Sequence, residues 1–249
     1  MKLVMDEVTI AGRYDAFNLA SLLTTYPDDS FLDELKEFIN QKELYKFCSD
    51  KTMESWKDLN VLLNDIVKGL INLDDIRSDY INIFDRAKSA NSLYETEYGK
   101  ERVMAKTNEL ADLAGFYQAF GLKNDSDEVI HEMEDHVSVE LEFYAYLYRK
   151  QVFLELNKID EGVEIVLDGR KKFLNEHLGR FVKSISQRPG VTENDFFSKV
   201  FNWIDSLVDN ECSELGVTPE IVEWISSQVE PEAIDCAIAN CGLAGADKM

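Results

Sequence analysis

Apolar residues recur along this chain at steps of three and four positions, the spacing that places side chains on one face of an α-helix. The stripe over residues 17–26 stops at Pro27, whose ring cannot continue a helix. The stripe over residues 103–120 is followed by Gly121, a residue type that readily adopts the left-handed turn after a helix. These punctuated stripes predict two amphipathic helices.

The second half of the chain shows the same pattern. A stripe over residues 174–185 ends before Pro189, and a stripe over residues 196–207 follows Thr192, a suitable N-cap. No run alternates as a β-strand does, and no repeat of fixed period occurs. The pattern predicts an all-α fold, a compact helical bundle in which these stripes are buried against one another. Further helices are predicted at residues 31–39, 54–71, 74–86, 138–156 and 218–228.

A polar stretch over residues 123–135 lies between two strong helical patterns. Its polarity and charge are typical of a connector or hinge. We therefore expect one structural domain made of an N-terminal sub-bundle, residues 1–122, and a C-terminal sub-bundle, residues 136–249. A single continuous bundle is the alternative that the sequence leaves open.

An excess of acidic residues narrows the range of partners. The chain has 48 Asp and Glu against 26 Lys and Arg, for a net charge of -22. A nucleic-acid binder needs cationic side chains to replace the counterions of the phosphates, so no nucleic-acid partner is expected. Anionic membrane surfaces are disfavoured for the same reason. Cationic partners are favoured, because fields of opposite sign speed the encounter.

The sequence favours a cytoplasmic location. No segment approaches the roughly 20 apolar residues that cross a bilayer, so no stable membrane insertion is expected. The first residues, MKLVMDEVTIAGRYD, lack the basic region and apolar run of a secretion signal. The cysteines are too few and too scattered for a disulfide framework in a chain of this length; they are Cys48, Cys212, Cys236 and Cys241.

Catalytic and metal-binding motifs are missing from the sequence. It contains no P-loop, no GxGxxG, no HExxH, no CxxC and no serine in a nucleophile elbow. Glu128-x-x-His131 has the spacing of a metal site in a helical bundle. No second copy exists, because neither His136 nor His177 has a Glu three residues earlier. We therefore expect no catalytic site, no cofactor and no metal, with a helical-bundle metalloenzyme as the less favoured alternative.

The segment DHVSVELEF, residues 135–143, predicts a well-capped helix start. Either Asp135 or Ser138 can serve as the N-cap of the helix that follows. Glu140 and Glu142 place negative charge near the positive end of the helix dipole. The segment is therefore predicted to position the helix.

The segment SLYETEYG, residues 92–99, combines two aromatic and two acidic residues in a short loop. Tyr94 and Tyr98 alternate with Glu95 and Glu97. Exposed aromatics beside carboxylates suit a cationic peptide, through apolar contact and charge. A loop that folds its aromatic residues into the core is the alternative.

With these segments, the chain resembles the TorD/DmsD/NarJ-type chaperones of molybdoenzyme maturation. The motif of residues 135–143 is similar to that family's DHLxxELEF signature, with Val137 in place of Leu. Phe181 stands where Trp is common, and residues 85–91 replace a Gly-Pro-rich loop implicated in client recognition. The form ETEYG looks most like the branch that serves enzymes of the dimethyl sulfide, selenate and ethylbenzene dehydrogenase type. Other matching segments are LLTTYPD at 22–28, YINIF at 80–84, LYETEY at 93–98 and FLNEHL at 173–178.

The resemblance implies a chaperone that binds the apo catalytic subunit of a molybdoenzyme. Members often also bind its N-terminal signal peptide, commonly a twin-arginine one. They assist cofactor insertion and delay export until the molybdenum cofactor is loaded, without being enzymes themselves. Related proteins occur as monomers and as homodimers, so both states are open. A helical adaptor or scaffold without chaperone activity is the alternative from another functional class.

A client-peptide site is predicted in a groove between the two sub-bundles. Apolar side chains of the peptide are expected to contact its aromatic residues, and peptide arginines to meet its carboxylates. Glu140, Glu142 and His177 are expected to support the site structurally. The predicted contact residues are Asp135, His136, Tyr80, Phe84, Tyr94, Glu95, Glu97 and Tyr98.

Overall fold

The computed structural model describes residues 7–39, 49–86, 90–99, 102–122 and 133–224. Within these ranges the fold is all-α, as predicted, and holds only an isolated antiparallel bridge between Tyr94 and His136. No helix of the described ranges is long and apolar enough to cross a membrane. Five residues discussed above lie outside the described residues: Cys48, Glu128, His131, Cys236 and Cys241.

The helices follow one another with short connections. Two of them, α4 and α7, continue directly into π-helical turns, and a 3₁₀ turn covers Glu95–Glu97. The helices are α1 (Glu7–Leu23), α2 (Phe31–Ile39), α3 (Asp50–Val67), α4 (Leu73–Tyr80), α5 (Arg102–Ala119), α6 (Val137–Leu156), α7 (Asp160–Phe173), α8 (Gly179–Ser186), α9 (Pro189–Thr192) and α10 (Asp195–Leu215). The π-helical turns are Ile81–Arg86 and Leu174–Leu178.

Several predicted elements agree closely with the structure. The helix predicted at residues 31–39 is α2, with the same bounds. The helix predicted at 54–71 begins earlier as α3, because the Ser49 side chain accepts a hydrogen bond from Thr52 N and so caps it. Gly121 follows α5 with a φ of 85°, the left-handed conformation expected of it.

Other predictions were wrong. The N-cap of α10 is Asn194, not Thr192, because the Asn194 side chain accepts hydrogen bonds from Phe196 N and Phe197 N. The helix predicted at 218–228 is absent over residues 218–224, which are not helical. Helix α7 was missed, since its buried face includes Gly169 and Arg170, which a hydrophobic pattern does not mark.

Helix α6 forms the centre of the bundle. It packs against α1 and α7, while α10 packs against α3 and α8. Helix α5 joins this core through Tyr117, whose ring centroid lies 4.6 Å from that of Phe143 in α6. The contact between α1 and α6 joins chain segments on the two sides of residues 123–135. The division into sub-bundles at those residues stays a prediction.

A buried ionic network ties four helices together. The carboxylate of Glu211 in α10 receives hydrogen bonds from Arg13 in α1, from Arg170 in α7, and from Tyr144 and Tyr148 in α6. Burial alone disfavours the charged carboxylate, but the two guanidinium groups outweigh it and lower the pKa of Glu211 below its ordinary value. The network therefore fixes how these helices are oriented around the core.

Candidate functional site

A pocket of about 160 Å³ opens between the end of α4 with its π-helical turn and the 92–98 loop. Four residues of the predicted site meet there: Tyr80, Phe84, Tyr94 and His136. Tyr80, Phe84 and His136 are buried, and Tyr94 is partly buried. The remaining lining residues are Tyr26, Asp85 and Leu93.

The aromatic wall of the pocket comes from α4 and the turn that follows it. The rings of Tyr80 and Phe84 meet edge to face at 5.2 Å, and the ring of Tyr26 approaches Tyr80 at 5.7 Å. Phe84 is anchored from behind by Phe197 of α10 at 5.0 Å. The π-helical turn over Ile81–Arg86 is a helix irregularity frequently found at functional sites.

His136 forms the opposite wall and also begins α6. Its Nδ1 accepts a hydrogen bond from Ser138 N at 3.2 Å and lies 2.7 Å from Ser138 Oγ. The imidazole is therefore the N-cap of α6, and the predicted cap by the side chain of Asp135 or Ser138 was wrong. The ring of Tyr94 stands edge to face against His136 at 5.0 Å.

Backbone hydrogen bonds hold the 92–98 loop against the start of α6. Val137 N donates to Leu93 O, and Glu95 N donates to Asp135 O, both at 2.9 Å. These two bonds flank the bridge between Tyr94 and His136. These main-chain contacts thus fix Tyr94 beside His136 within one wall of the pocket.

Asp135 and Glu95 face the interior, outside the pocket lining. Asp135 Oδ2 accepts a hydrogen bond from Thr96 Oγ1 at 2.5 Å. Glu95 Oε2 lies 3.0 Å from His177 Nδ1, in the π-helical turn after α7. Asp135, Glu95 and His177 are at most 5% exposed, so their contacts hold the loop in place.

Glu140 is the most isolated polar group of this region. It is fully buried, and neither of its carboxylate oxygens has a hydrogen-bond partner among the described residues. Burial raises its pKa well above the ordinary value, and the nearby charges of Glu95 and Asp135 raise it further. Burial and the two neighbouring carboxylates thus both favour the protonated form of Glu140. Glu142, by contrast, is exposed and lines a separate pocket with Tyr14 and Asp15.

Glu97 and Tyr98 lie on the far side of the loop from the pocket. Glu97 forms a half-exposed ion pair with Lys106 of α5, with the two charged atoms 2.6 Å apart. Tyr98 is buried, its hydroxyl donating to Ser92 O at 2.8 Å and its ring contacting Phe181. The structure thus divides the predicted site between the pocket, the interior and a second face of the loop.

Three pocket residues were missed by the sequence-based reasoning: Tyr26, Asp85 and Leu93. Each belongs to a segment already singled out there, at 22–28, 85–91 and 93–98. The signal was therefore present as a motif, although the convergence of these segments was not evident. In the described ranges no group of three or more His, Cys, Asp or Glu side chains is arranged to hold a metal ion.

The chain is similar to a known family over more than half of its length. The model of the family described as nitrate reductase delta subunit matches residues 49–187. That range includes every lining residue of the pocket except Tyr26. A comparison with curated proteins gives no match.

Proposed function

The chain belongs to the nitrate reductase delta subunit family, the NarJ/TorD-type chaperones of molybdoenzyme maturation, and we propose from this premise that it holds a molybdoenzyme catalytic subunit before the molybdenum cofactor is inserted. In this role the chain acts by binding and catalyses no reaction itself. It works in the cytoplasm and releases the client for export once the cofactor is loaded.

The pocket between α4 and the 92–98 loop supports this proposal best. Segments far apart in sequence bring Tyr80 and Phe84 to one wall and Tyr94 and His136 to the other. A volume of about 160 Å³ is below the range of small-molecule sites, so it suits one inserted side chain of a peptide. The convergence of these four residues is the observation on which the proposed site rests.

The charge of the chain suits a basic client segment. Asp85 places an exposed carboxylate at the pocket, next to aromatic rings that attract cations. An arginine of the client's N-terminal signal can therefore insert between the rings and pair with Asp85. The net charge of -22 speeds the approach of such a segment over longer distances.

The test is a calorimetric titration of two clients: a synthetic peptide of the signal of a nitrate reductase-type catalytic subunit, and the apo subunit without that signal. His136→Asn removes the imidazole while keeping a residue type that caps helices well. We expect His136→Asn and Tyr94→Ala to weaken peptide binding at least tenfold, a loss of about 1.4 kcal/mol. If the apo subunit without its signal binds more tightly than the signal peptide does, the pocket is assigned to the mature body of the client.

Asp85→Asn tests the charge contribution, with Asp75→Asn as its matched control. Asp75 is an exposed carboxylate of α4 that does not line the pocket. Asp85→Asn should weaken binding and reduce its dependence on salt, because screening acts on the charge pair that this change removes. Asp75→Asn should change neither. Equal affinities of folded His136→Asn, Tyr94→Ala and the unchanged chain would rule out the pocket as the client site.

A further inference from the structure

A stretch of eight residues after α10 crosses the surface in a non-helical conformation. Helix α10 ends at Leu215, and Gly216, with a φ of 67°, turns the chain out of the helix. Residues 217–224, which we term the strap, then run beside α8 and the 92–99 loop. We term the surface of α8 and the 92–99 loop that the strap covers the groove.

The strap is held largely through its main chain. Arg180 Nε donates to Glu220 O at 3.1 Å, Ser184 Oγ donates to Val222 O, and Gly99 N donates to Glu223 O at 3.0 Å. Val222 N donates in turn to Arg180 O at 3.4 Å. Such bonds recognise any extended peptide regardless of its side chains.

Two strap side chains supply the specific contacts. Val222 and Trp224 are partly buried. Ile221, which precedes Val222, and Glu223, which lies between the two, are exposed. The Trp224 ring meets the Tyr98 ring edge to face at 4.9 Å, and the guanidinium of Arg188 lies 4.6 Å from the indole. This alternation is the pattern of an extended peptide whose every second side chain enters a pocket.

Two glycines, Gly179 and Gly99, lie beneath the strap. A Cβ added at Gly179 would lie 2.4 Å from Leu174 O and 2.6 Å from Pro219 Cγ, and a Cβ at Gly99 would lie 3.4 Å from Val222 Cγ1, an ordinary van der Waals distance. Both contacts at Gly179 are closer than real Cβ atoms approach, so the π-helical turn before α8 and the strap together exclude a side chain there. The strap therefore packs closely on these two glycines.

We propose that this groove binds an extended segment of the client, and that the strap occupies it while the client is absent. The inference rests on the proposed chaperone function. Tyr98, which contacts the strap, is four residues from Tyr94, which lines the pocket, so the two sites are at most about 14 Å apart along the loop. One client segment can span both. The segment fitted by the groove carries an apolar residue and, two positions later, an aromatic one.

Trp224→Ala tests the exchange, with Ile221→Ala as a matched control because Ile221 is exposed on the same strap. The first probe is a labelled peptide with the strap sequence VTPEIVEW. A tethered occupant competes at a high effective concentration, so we expect the peptide to bind Trp224→Ala at least about tenfold more tightly than the unchanged chain. Ile221→Ala should behave as the unchanged chain does.

The second probe is the apo catalytic subunit of a nitrate reductase-type enzyme. It should bind Trp224→Ala more tightly than the unchanged chain, and the strap peptide should compete with it. Val222→Ala, which removes a smaller side chain, should shift both affinities in the same direction and serves if Trp224→Ala is poorly folded. If Trp224→Ala and the unchanged chain bind both probes with equal affinity, or if the strap peptide does not compete with the apo subunit, this inference alone is overturned. Absence of client binding to every chain would overturn the proposed function as well.

Discussion

Nη2 of Arg170 lies 2.6 Å from Oε2 of Glu211, and neither side chain is exposed to solvent. The pair joins α7 to α10 across the core, and Arg13 extends it to α1 at 2.6 Å. Arg170 is buried on α7, a helix without a strong apolar stripe, because it pairs with the carboxylate of Glu211, 41 residues later. Glu211 also accepts hydrogen bonds from Tyr144 and Tyr148 of α6, the helix whose N-cap, His136, lines the pocket.

Replacing Glu211 by Gln should strongly destabilise the fold. The change leaves the buried guanidinium of Arg170 without a compensating charge and Arg13 with Glu214 alone, which costs about 3–5 kcal/mol. Glu214→Gln is the control, since Glu214 also binds Arg13 but is 30% exposed, and it should cost well under half as much. Urea denaturation measures both. Because the pKa of Glu211 is lowered, its contribution is present above the ordinary glutamate pKa and is lost as the pH falls through the folded-state pKa.

Glu140→Gln should stabilise the protein increasingly as the pH rises. The pKa of Glu140 is raised in the fold, so the unfolded chain releases its proton at lower pH than the folded chain, and stability falls as the pH rises above about 4.3. The variant removes this loss. Urea midpoints should therefore coincide at about pH 4 and favour Glu140→Gln at about pH 8.

The control for that variant is Glu142→Gln, on the same helix. Glu142 is exposed, so its replacement should change the free energy of unfolding by no more than about 0.5 kcal/mol at either pH. If the urea midpoints of Glu140→Gln and the unchanged chain differ by the same amount at both pH values, the pKa of Glu140 is not raised in the fold.

Glu95→Ala and Glu97→Ala should have different costs, although both residues lie in the same 3₁₀ turn. Glu95 is buried against His177 at 3.0 Å, and its loss leaves a buried imidazole nitrogen without that partner, at about 1–3 kcal/mol. The pair of Glu97 with Lys106 is about 40% exposed and contributes about 0–1 kcal/mol. Thermal unfolding of the two variants distinguishes them, and similar losses would contradict the structural role of Glu95.

Two helical glycines should respond oppositely to replacement by Ala. A Cβ at Gly169 in α7 would lie 2.3 Å from Cζ of Phe120, so Gly169→Ala forces the ring to shift at about 1–3 kcal/mol. A Cβ at Gly115 in α5 meets nothing within 4 Å, so Gly115→Ala should stabilise by about 0.5–1 kcal/mol. Calorimetric melting of both variants provides the comparison, and a neutral Gly169→Ala would show that α7 packs less closely on Phe120.

The all-α class, the bounds of α2 and most helix locations follow from local pattern. Periodic apolar residues and helix-ending residues act over a few positions, so the sequence displays them directly. The motifs at 80–84, 93–98 and 135–143 also predicted Tyr80, Phe84, Tyr94 and His136, the four residues that the pocket brings together. Local pattern failed for α7 and for residues 218–224, whose conformations depend on partners distant in sequence.

Only the tertiary structure decided whether each charged side chain lies in the interior or at the surface. Glu95 and Glu97 are two positions apart, yet the first pairs with His177 in the interior and the second with Lys106 at the surface. The buried network of Arg13, Arg170 and Glu211 depends on residues from three helices. The sequence by itself determines which side chains are apolar and which are charged. Whether a charge is paired, neutralised or exposed depends on long-range packing, because desolvation and Coulomb energies are set by neighbours in space.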